Sequence, residues 1–345
     1  MKIQSLKNKL GEISFRQNIT SPQTRKKFKY KNELDFRQRL KELKKRIKKS
    51  HFDFKNLQKK GLDLSFYLEI GAENCQRAMI LEEKFKAKGF ATDISLESLK
   101  GAKDFLKPLG FKKLPQRIVC DASNLPFLNS SIPFIFCYQT LHHFPNPKPV
   151  LKEIYRVLAP NGSFFFSEEP VKQTLNLPIW RRPTVLRPWE RLLKYVGILP
   201  FISRIGKTEV EYGILEETFS LTIWQRALDV FDYAEVKIEP YPKGPQSTIK
   251  KNGKDWLKPK FPTNVFIFLL GGGISAICQK RAGLVKPKQN LISSFLCCPK
   301  CKQKLESKDR FYCKKCNIHY PKITNIPILL KPQDLKKLYC NFQNV

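Results

Sequence analysis

Residues Ser65–Ser95, SFYLEIGAENCQRAMILEEKFKAKGFATDIS, decide the fold. Phe66, Tyr67, Leu68 and Ile70 make a short apolar run ended by Gly71, the pattern of a strand covered on both faces of a parallel sheet. Ala78, Met79, Leu81 and Phe85 then recur at helical spacing, which predicts a helix with one buried face, stopped at Gly89. A second apolar run, Phe90 to Thr92, closes on Asp93. Strand, turn, helix and strand make one βαβ unit. Asp93 lies 22 positions beyond Gly71, the separation at which a Rossmann-like sheet sets a carboxylate against a ribose diol beside a glycine turn.

Further units follow in order. Gln116 to Cys120 reads as a third strand leading into Asp121-Ala122 and Leu125-Pro126-Phe127. Pro133 to Cys137 reads as a fourth, running into Tyr138-Gln139-Thr140-Leu141-His142-His143-Phe144. A helix from Pro149 to Leu158 and the turn Pro160-Asn161-Gly162 feed a fifth strand, Ser163 to Ser167, ending at Glu168-Glu169-Pro170. These motifs, D-A-x-x-L-P-F, L-H-H and E-x-x-R-V-L-x-P-x-G in that order, resemble the class I S-adenosylmethionine-dependent methyltransferases of the broad small-molecule type over about residues 61 to 170. The resemblance implies an α/β, Rossmann-like, seven-stranded and mostly parallel sheet with helices on both faces. Two later strands are expected at Ala234 to Glu239 and Gly273 to Gln279.

Residue roles follow from the same resemblance. Glu69 orients the methionine end of the cofactor, and Gly71 and Ala72 let the backbone approach it. Asp93 takes the ribose hydroxyls beside the Ile94 amide, Asp121 and Ala122 face adenine, and Cys137, Tyr138 and Gln139 border the sulfonium. His142 and His143 are candidate general bases and one of Glu168 and Glu169 is expected to touch substrate, with His143, Glu168 and Tyr138 the leading catalytic candidates, since imidazole and carboxylate can take a proton from an acceptor. Two departures stand out. Glu73 and Cys75 occupy the places of the usual second and third glycines, and Pro133 replaces a common aspartate at the start of the fourth strand. A side chain at 73 narrows the turn and adds negative charge.

The C-terminal sixty residues carry the second motif. Cys298, Cys301, Cys313 and Cys316 form C-x2-C-x11-C-x2-C, two knuckles that offer four thiolates to a tetrahedral zinc, with Cys297 and His319 as spare donors. Together with the tail from His319 to Leu330, they resemble the small zinc-ribbon family that activates tRNA and protein methyltransferases. Asn325 stands where that family has glycine, and asparagine tolerates the left-handed conformation.

The formal charge of +34, from 64 basic and 30 acidic residues, draws anionic partners. Residues 1 to 60 hold 20 Lys or Arg against 5 Asp or Glu. Their first half lacks periodicity, and Leu34, Phe36, Leu40, Leu43 and Ile47 predict a basic amphipathic helix from Glu33 to Lys49, which the resemblance implies packs over the cofactor side, with phosphates or lipid headgroups as its alternative partners. No apolar leader opens the chain. The stretch Val265 to Cys278 is too short to cross a bilayer, so no transmembrane segment is expected, and it reads as a buried strand pair or strand and turn. Single cysteines inside predicted strands, Cys120 and Cys137 among them, together with the four-cysteine cluster point to a reducing cytoplasm rather than a disulfide framework.

The expected organisation is a basic arm and helix over residues 1–60, a methyltransferase domain over 61–283 and a zinc ribbon over 284–345. Within the middle domain, residues 171–263 are expected to form a lid or connector whose aromatic and proline cluster runs from Pro178 to Trp189. A helix behind Ser220 or Thr222 is expected near Leu221, Trp224 and Leu228. The leading functional expectation is methyl transfer to a small molecule or lipid-linked intermediate. RNA, held through the basic arm, is the alternative acceptor, and a non-catalytic scaffold is the alternative role. An Asn-Pro-Pro-Tyr motif is missing after the fourth strand, which argues against exocyclic amino groups and glutamine side chains as acceptors.

Overall fold

A computed structural model describes residues 33–172, 218–240, 244–281, 295–307 and 310–339, with short pieces of 6–14 and 192–198. The aromatic and proline cluster Pro178 to Trp189, the N-terminal arm ahead of the first long helix and the linker Val285 to Lys288 lie outside the described residues. The chain forms two compact units. One comprises residues 13–137, 152–164 and 279–345, and the other residues 1–12, 138–151 and 165–278.

The first unit holds the βαβ core. β1 (Phe66–Ile70) is buried except at its first residue, α2 (Gln76–Lys84) follows α1 (Glu33–Lys59), and β2 (Lys88–Asp93) lies parallel to β1. α3 (Leu96–Leu106), β3 (Gln116–Val119), β4 (Ile132–Tyr138) and α4 (Lys148–Val157) continue the pattern, with β2–β3 and β1–β4 also parallel. The order is β3-β2-β1-β4-β5, where β5 (Leu158–Val171) runs on into the second unit. α1 packs rather than projecting. Leu43, Phe54 and Leu57 are buried, and Phe54 meets Phe136 edge-on at 5.2 Å, as its apolar stripe requires.

Gly89 does not stop the helix. α2 ends at Lys84, with the Phe85 N–H on the Leu81 carbonyl, and Gly89 lies inside β2, where a Cβ would fall 2.1 Å from the Tyr67 carbonyl oxygen. Glycine serves here for close strand approach.

In the second unit the rest of β5 is followed by β8, β6 and β7 in order across the sheet. β6 (Tyr233–Pro240) and β8 (Gly272–Gln279) match the two late strands expected. β7 (Ser247–Lys250), antiparallel to β6, is an eighth strand with no sequence signal, since its side chains alternate only between half-exposed and exposed. β5 is longer than expected, because Pro160-Asn161-Gly162 is carried inside the strand with Asn161 at φ 60°. α5 (Leu221–Leu228) starts at Ser220, whose hydroxyl accepts the Ile223 N–H at 3.3 Å, and it buries Trp224 flat on Phe166. The stretch Val265 to Cys278 is not a strand pair: its first part belongs to α6 (Thr263–Leu270), and only the rest is β8.

The C-terminal segment belongs to the first unit. β9 (Glu306–Ser307), β10 (Phe311–Cys313) and β11 (Ile318–Tyr320) form an antiparallel sheet, β12 (Lys322–Ile323) pairs with β13 (Ile326–Pro327), and α7 (Pro332–Leu338) follows. This ribbon covers the edge strand β3. Ile328 bridges Val119 in parallel and the Leu329 N–H donates to the Val119 carbonyl at 2.8 Å. An open edge of this kind otherwise invites pairing with another chain.

Candidate active site

The turn after β1 keeps the backbone that glycines would give it. Gly71, Glu73 and Cys75 lie at φ 68°, 48° and 57°, so two non-glycine residues are held in the left-handed region at a cost of roughly 1–2 kcal/mol each. The Cys75 N–H donates to the Ala72 carbonyl at 2.7 Å, and Glu73 is held by Asp93. Its Oδ2 accepts the Glu73 N–H at 2.9 Å and its Oδ1 accepts the Ser95 N–H at 2.9 Å, tying the turn to the tip of β2. The Ala72 N–H donates to the Thr92 carbonyl, and Cys120 N–H to the Asp93 carbonyl. Asp121 opens a short 3-10 turn over Ala122–Asn124 by accepting the Ser123 N–H at 2.8 Å. Cys137 pairs across from Ile70 at the end of β1. Glu69, Gly71, Ala72, Asp93, Ile94, Asp121, Ala122 and Cys137 therefore all gather at the ends of adjacent parallel strands or in the turns that follow them, where such sheets take ligands.

Burial pushes the Glu69 carboxyl up to about 8, against the opposing pull of Arg77 and of the Ala78 N–H that donates to Oε2 at 3.1 Å. Glu69 is therefore largely a neutral acid at pH 7. Glu73 meets Arg46 of α1 at 3.7 Å, which offsets the charge the sequence reading flagged. Gln76, fully buried directly after the turn, has neither amide atom hydrogen-bonded. A buried unsatisfied amide costs about 1–3 kcal/mol, so a polar guest or water completes it. Three carboxyls, Glu69, Glu73 and Asp93, and an orphan amide around one turn suit a ligand carrying an ammonium and hydroxyls, as S-adenosylmethionine does. Sequence reasoning missed Gln76, whose only signal was its place directly after the turn, at the start of α2.

In the second unit, Tyr138 and Gln139 follow that pairing along the chain. Gln139 at φ 50° and Glu168 at φ 65° are both left-handed and are joined by Gln139 Nε2 donating to Glu168 Oε2 at 2.9 Å. The neighbouring acid behaves differently. Glu169 is fully buried and accepts the Thr140, Leu141 and His142 N–H groups at 2.7, 3.0 and 3.1 Å, with His142 Nδ1 at 2.8 Å. Burial raises its carboxyl, but His142 and the backbone donors outweigh that and hold it below the usual range. Glu169 and His142 thus brace the loop, while the half-buried Glu168 and His143 keep partly solvent-facing side chains.

The four thiols of Cys298, Cys301, Cys313 and Cys316 lie within 4.8 Å of one another. Lys302 and Asn317, each just after a knuckle's second cysteine, are left-handed at φ 60° and 52°, which curls the backbone around a common centre. Soft sulfur donors in a closed set of four fit zinc. The Cys297 N–H donates to the Pro126 carbonyl at 2.9 Å and His319 stacks on Tyr312 at 4.4 Å, and neither side chain belongs to the four-thiol cluster. Asn325 is left-handed at φ 64°, as its place in the motif predicts.

The strand order and the turns at the strand ends define a Rossmann-like α/β fold with a mostly parallel sheet. Residues 68–166 match the family described as "Methyltransferase domain". Among curated proteins, the chain is 32% identical over 161 residues to the ubiquinone/menaquinone biosynthesis C-methyltransferase UbiE of Rickettsia typhi, covering 45% of this chain and 60% of that one. It is 27% identical over 109 residues to the methyltransferase GfsG of Streptomyces halstedii, covering 32% and 39%. The chain thus spans about three fifths and two fifths of the lengths of these relatives. Among solved structures, a SAM-dependent methyltransferase of Methanosarcina mazei aligns at TM-score 0.38 and 19% identity over 63% of this chain and 92% of that one. A chain from the complex of the Haloferax volcanii Trm112 methyltransferase activator with a candidate methyltransferase aligns at TM-score 0.40 and 14% identity over 64% and 84%.

Proposed function

We propose that the protein is an S-adenosylmethionine-dependent methyltransferase that acts on a small-molecule or lipid-linked acceptor, with a zinc ribbon stabilising the cofactor half. The supporting observation is the Asp93 carboxylate bound to the left-handed turn at Glu73, an arrangement that suits a ribose diol beside an amino-acid end. When bound, the cofactor supplies an electrophilic methyl on a sulfonium. Alignment then does most of the catalytic work, because charge disperses in such a displacement. Glu69, Gly71 and Ala72 would hold the amino-acid end, Asp93 and Ile94 the ribose, Asp121 and Ala122 the adenine, and Cys137 and Gln139 the sulfonium side. His143 and Glu168 would take the acceptor's proton, and Tyr138 would hold the acceptor in line.

The Rickettsia relative is, by its name, a C-methyltransferase of ubiquinone and menaquinone biosynthesis, which favours a carbon acceptor of that chemical kind. The same reading takes residues 1–60 as a basic arm and helix, 61–283 as the catalytic domain and 284–345 as the ribbon, in a cytoplasmic enzyme. Calorimetry with S-adenosylmethionine tests it, and absence of heat from folded protein at high concentration would leave the scaffold role instead. A second reading, an RNA acceptor, draws on the exposed Lys41, Lys44, Lys45 and Lys48 of α1. Filter binding at two salt concentrations separates it, since phosphate contacts lose affinity steeply as salt rises.

A further inference from the structure

α6 is built the wrong way round for a core helix. Its sequence, TNVFIFLL, has no charge, yet only Thr263 and Ile267 are buried. Phe261, just ahead of it, is 81% exposed, Phe268 61%, Val265 42% and Phe266 38%. At 100° per residue, Val265 and Phe268 share the face opposite Thr263 and Ile267, and the exposed Phe261 lies in the turn just ahead of the helix. The helix is nevertheless firmly seated. Thr263 Oγ1 donates to the Pro245 carbonyl at 2.8 Å, Gly271 ends the helix on the Ile267 carbonyl, and a Cβ at Gly272 would fall 2.3 Å from the Glu239 carbonyl oxygen. The aromatic face is therefore held outward by the fold. Lys254, Lys258 and Lys260 are exposed immediately ahead of it. Lys258 meets Asp255 at 3.8 Å, but both side chains are 75% exposed and such a pair contributes little.

We infer that this face docks the protein on an anionic lipid surface, with Phe261, Val265 and Phe268 entering the headgroup boundary and Lys254, Lys258 and Lys260 meeting lipid phosphates. A short apolar face with an aromatic tip and a lysine rim has the chemistry of an interfacial helix. The formal charge of +34 adds long-range attraction to such a surface, and the same charge opposes a second copy of the chain as occupant. Among the described residues no helix is long and apolar enough to cross a membrane, so this contact lies on the surface rather than through it.

The experiment uses the full chain without cofactor or acceptor, so its outcome is separate from the methyl-transfer reading. Protein is sedimented with vesicles of phosphatidylcholine alone, or with roughly one third phosphatidylglycerol. Binding is expected on the anionic vesicles and at least about tenfold weaker on the neutral ones. Phe261→Ser with Phe268→Ser should weaken it by roughly tenfold or more with the thermal transition kept. Phe268→Ala alone, expected to lose several-fold, carries the same test if the double variant does not fold. Lys258→Ser with Lys260→Ser should reduce binding to the anionic vesicles only. Four results would overturn the inference: no binding, binding indifferent to the phenylalanines, displacement from those phenylalanines by total RNA, or a dimer that the phenylalanine changes dissolve.

Discussion

Asp93 has two duties. Besides its proposed hold on the ribose, it accepts the Glu73 and Ser95 N–H groups, so it also maintains the turn. Asp93→Asn replaces one accepting oxygen with an amide that points donor at donor. The expected result is a loss of cofactor affinity of roughly 10- to 100-fold by calorimetry, with about 1–3 kcal/mol of stability lost in denaturant titration. Unchanged affinity would place the ribose elsewhere. Glu69 gives a pH signature. Its folded carboxyl is raised from 4.5 to about 8, so the native state binds a proton the unfolded chain has released. That contribution to stability is fully present below about 4.5 and is lost as pH rises through about 8. The thermal midpoint should therefore fall between pH 5 and pH 8. Glu69→Gln should flatten that fall, and an equal slope in both proteins would count against the buried acid.

At the scale of elements, the ribbon and the cofactor half share a seam. Lys302 Nζ donates to the Leu125 carbonyl and Glu153 Oε1, both at 2.9 Å, and Asn124 Nδ2 donates to the Pro299 carbonyl at 3.0 Å. Beyond α7, Tyr339 sends its hydroxyl to the Ile94 carbonyl at 2.5 Å and accepts the Leu96 N–H at 3.0 Å. Tyr339 is buried, and it grips the loop that follows Asp93 from a position 245 residues away. Tyr339→Phe leaves a buried N–H and a buried carbonyl without that partner. It should weaken cofactor binding several-fold while zinc content, read by metal analysis, stays at wild type. Loss of zinc together with affinity would mean that the substitution had simply unfolded the ribbon.

At the scale of the whole molecule, the four-thiol cluster predicts that metal and fold are coupled. The ribbon's strands are two or three residues long, too little core to stand alone, so zinc should supply much of its folding free energy. Chelation is expected to lower the thermal midpoint of the whole first unit, because the edge of β3 loses its cover along with the metal. One zinc per chain after gel filtration is the matching expectation, and a chain that melts identically with and without chelator would refute it.

Much of this architecture was legible in the residues, because a strand covered on both faces, a turn, and paired cysteine knuckles each leave a short local pattern. β1, β2, the Asp93 tip and the four-thiol cluster follow from spacing alone. Position 89 misled, since glycine reads alike as a helix stop and as a place where two strands crowd together. Only the tertiary structure separated Glu168 from Glu169, because burial against three backbone donors is a property of the loop that folds over it. Only it turned the apolar run from Val265 into a helix with its aromatic face outward. Neighbours distant in the chain, not the residues themselves, determine which side of an apolar segment meets water.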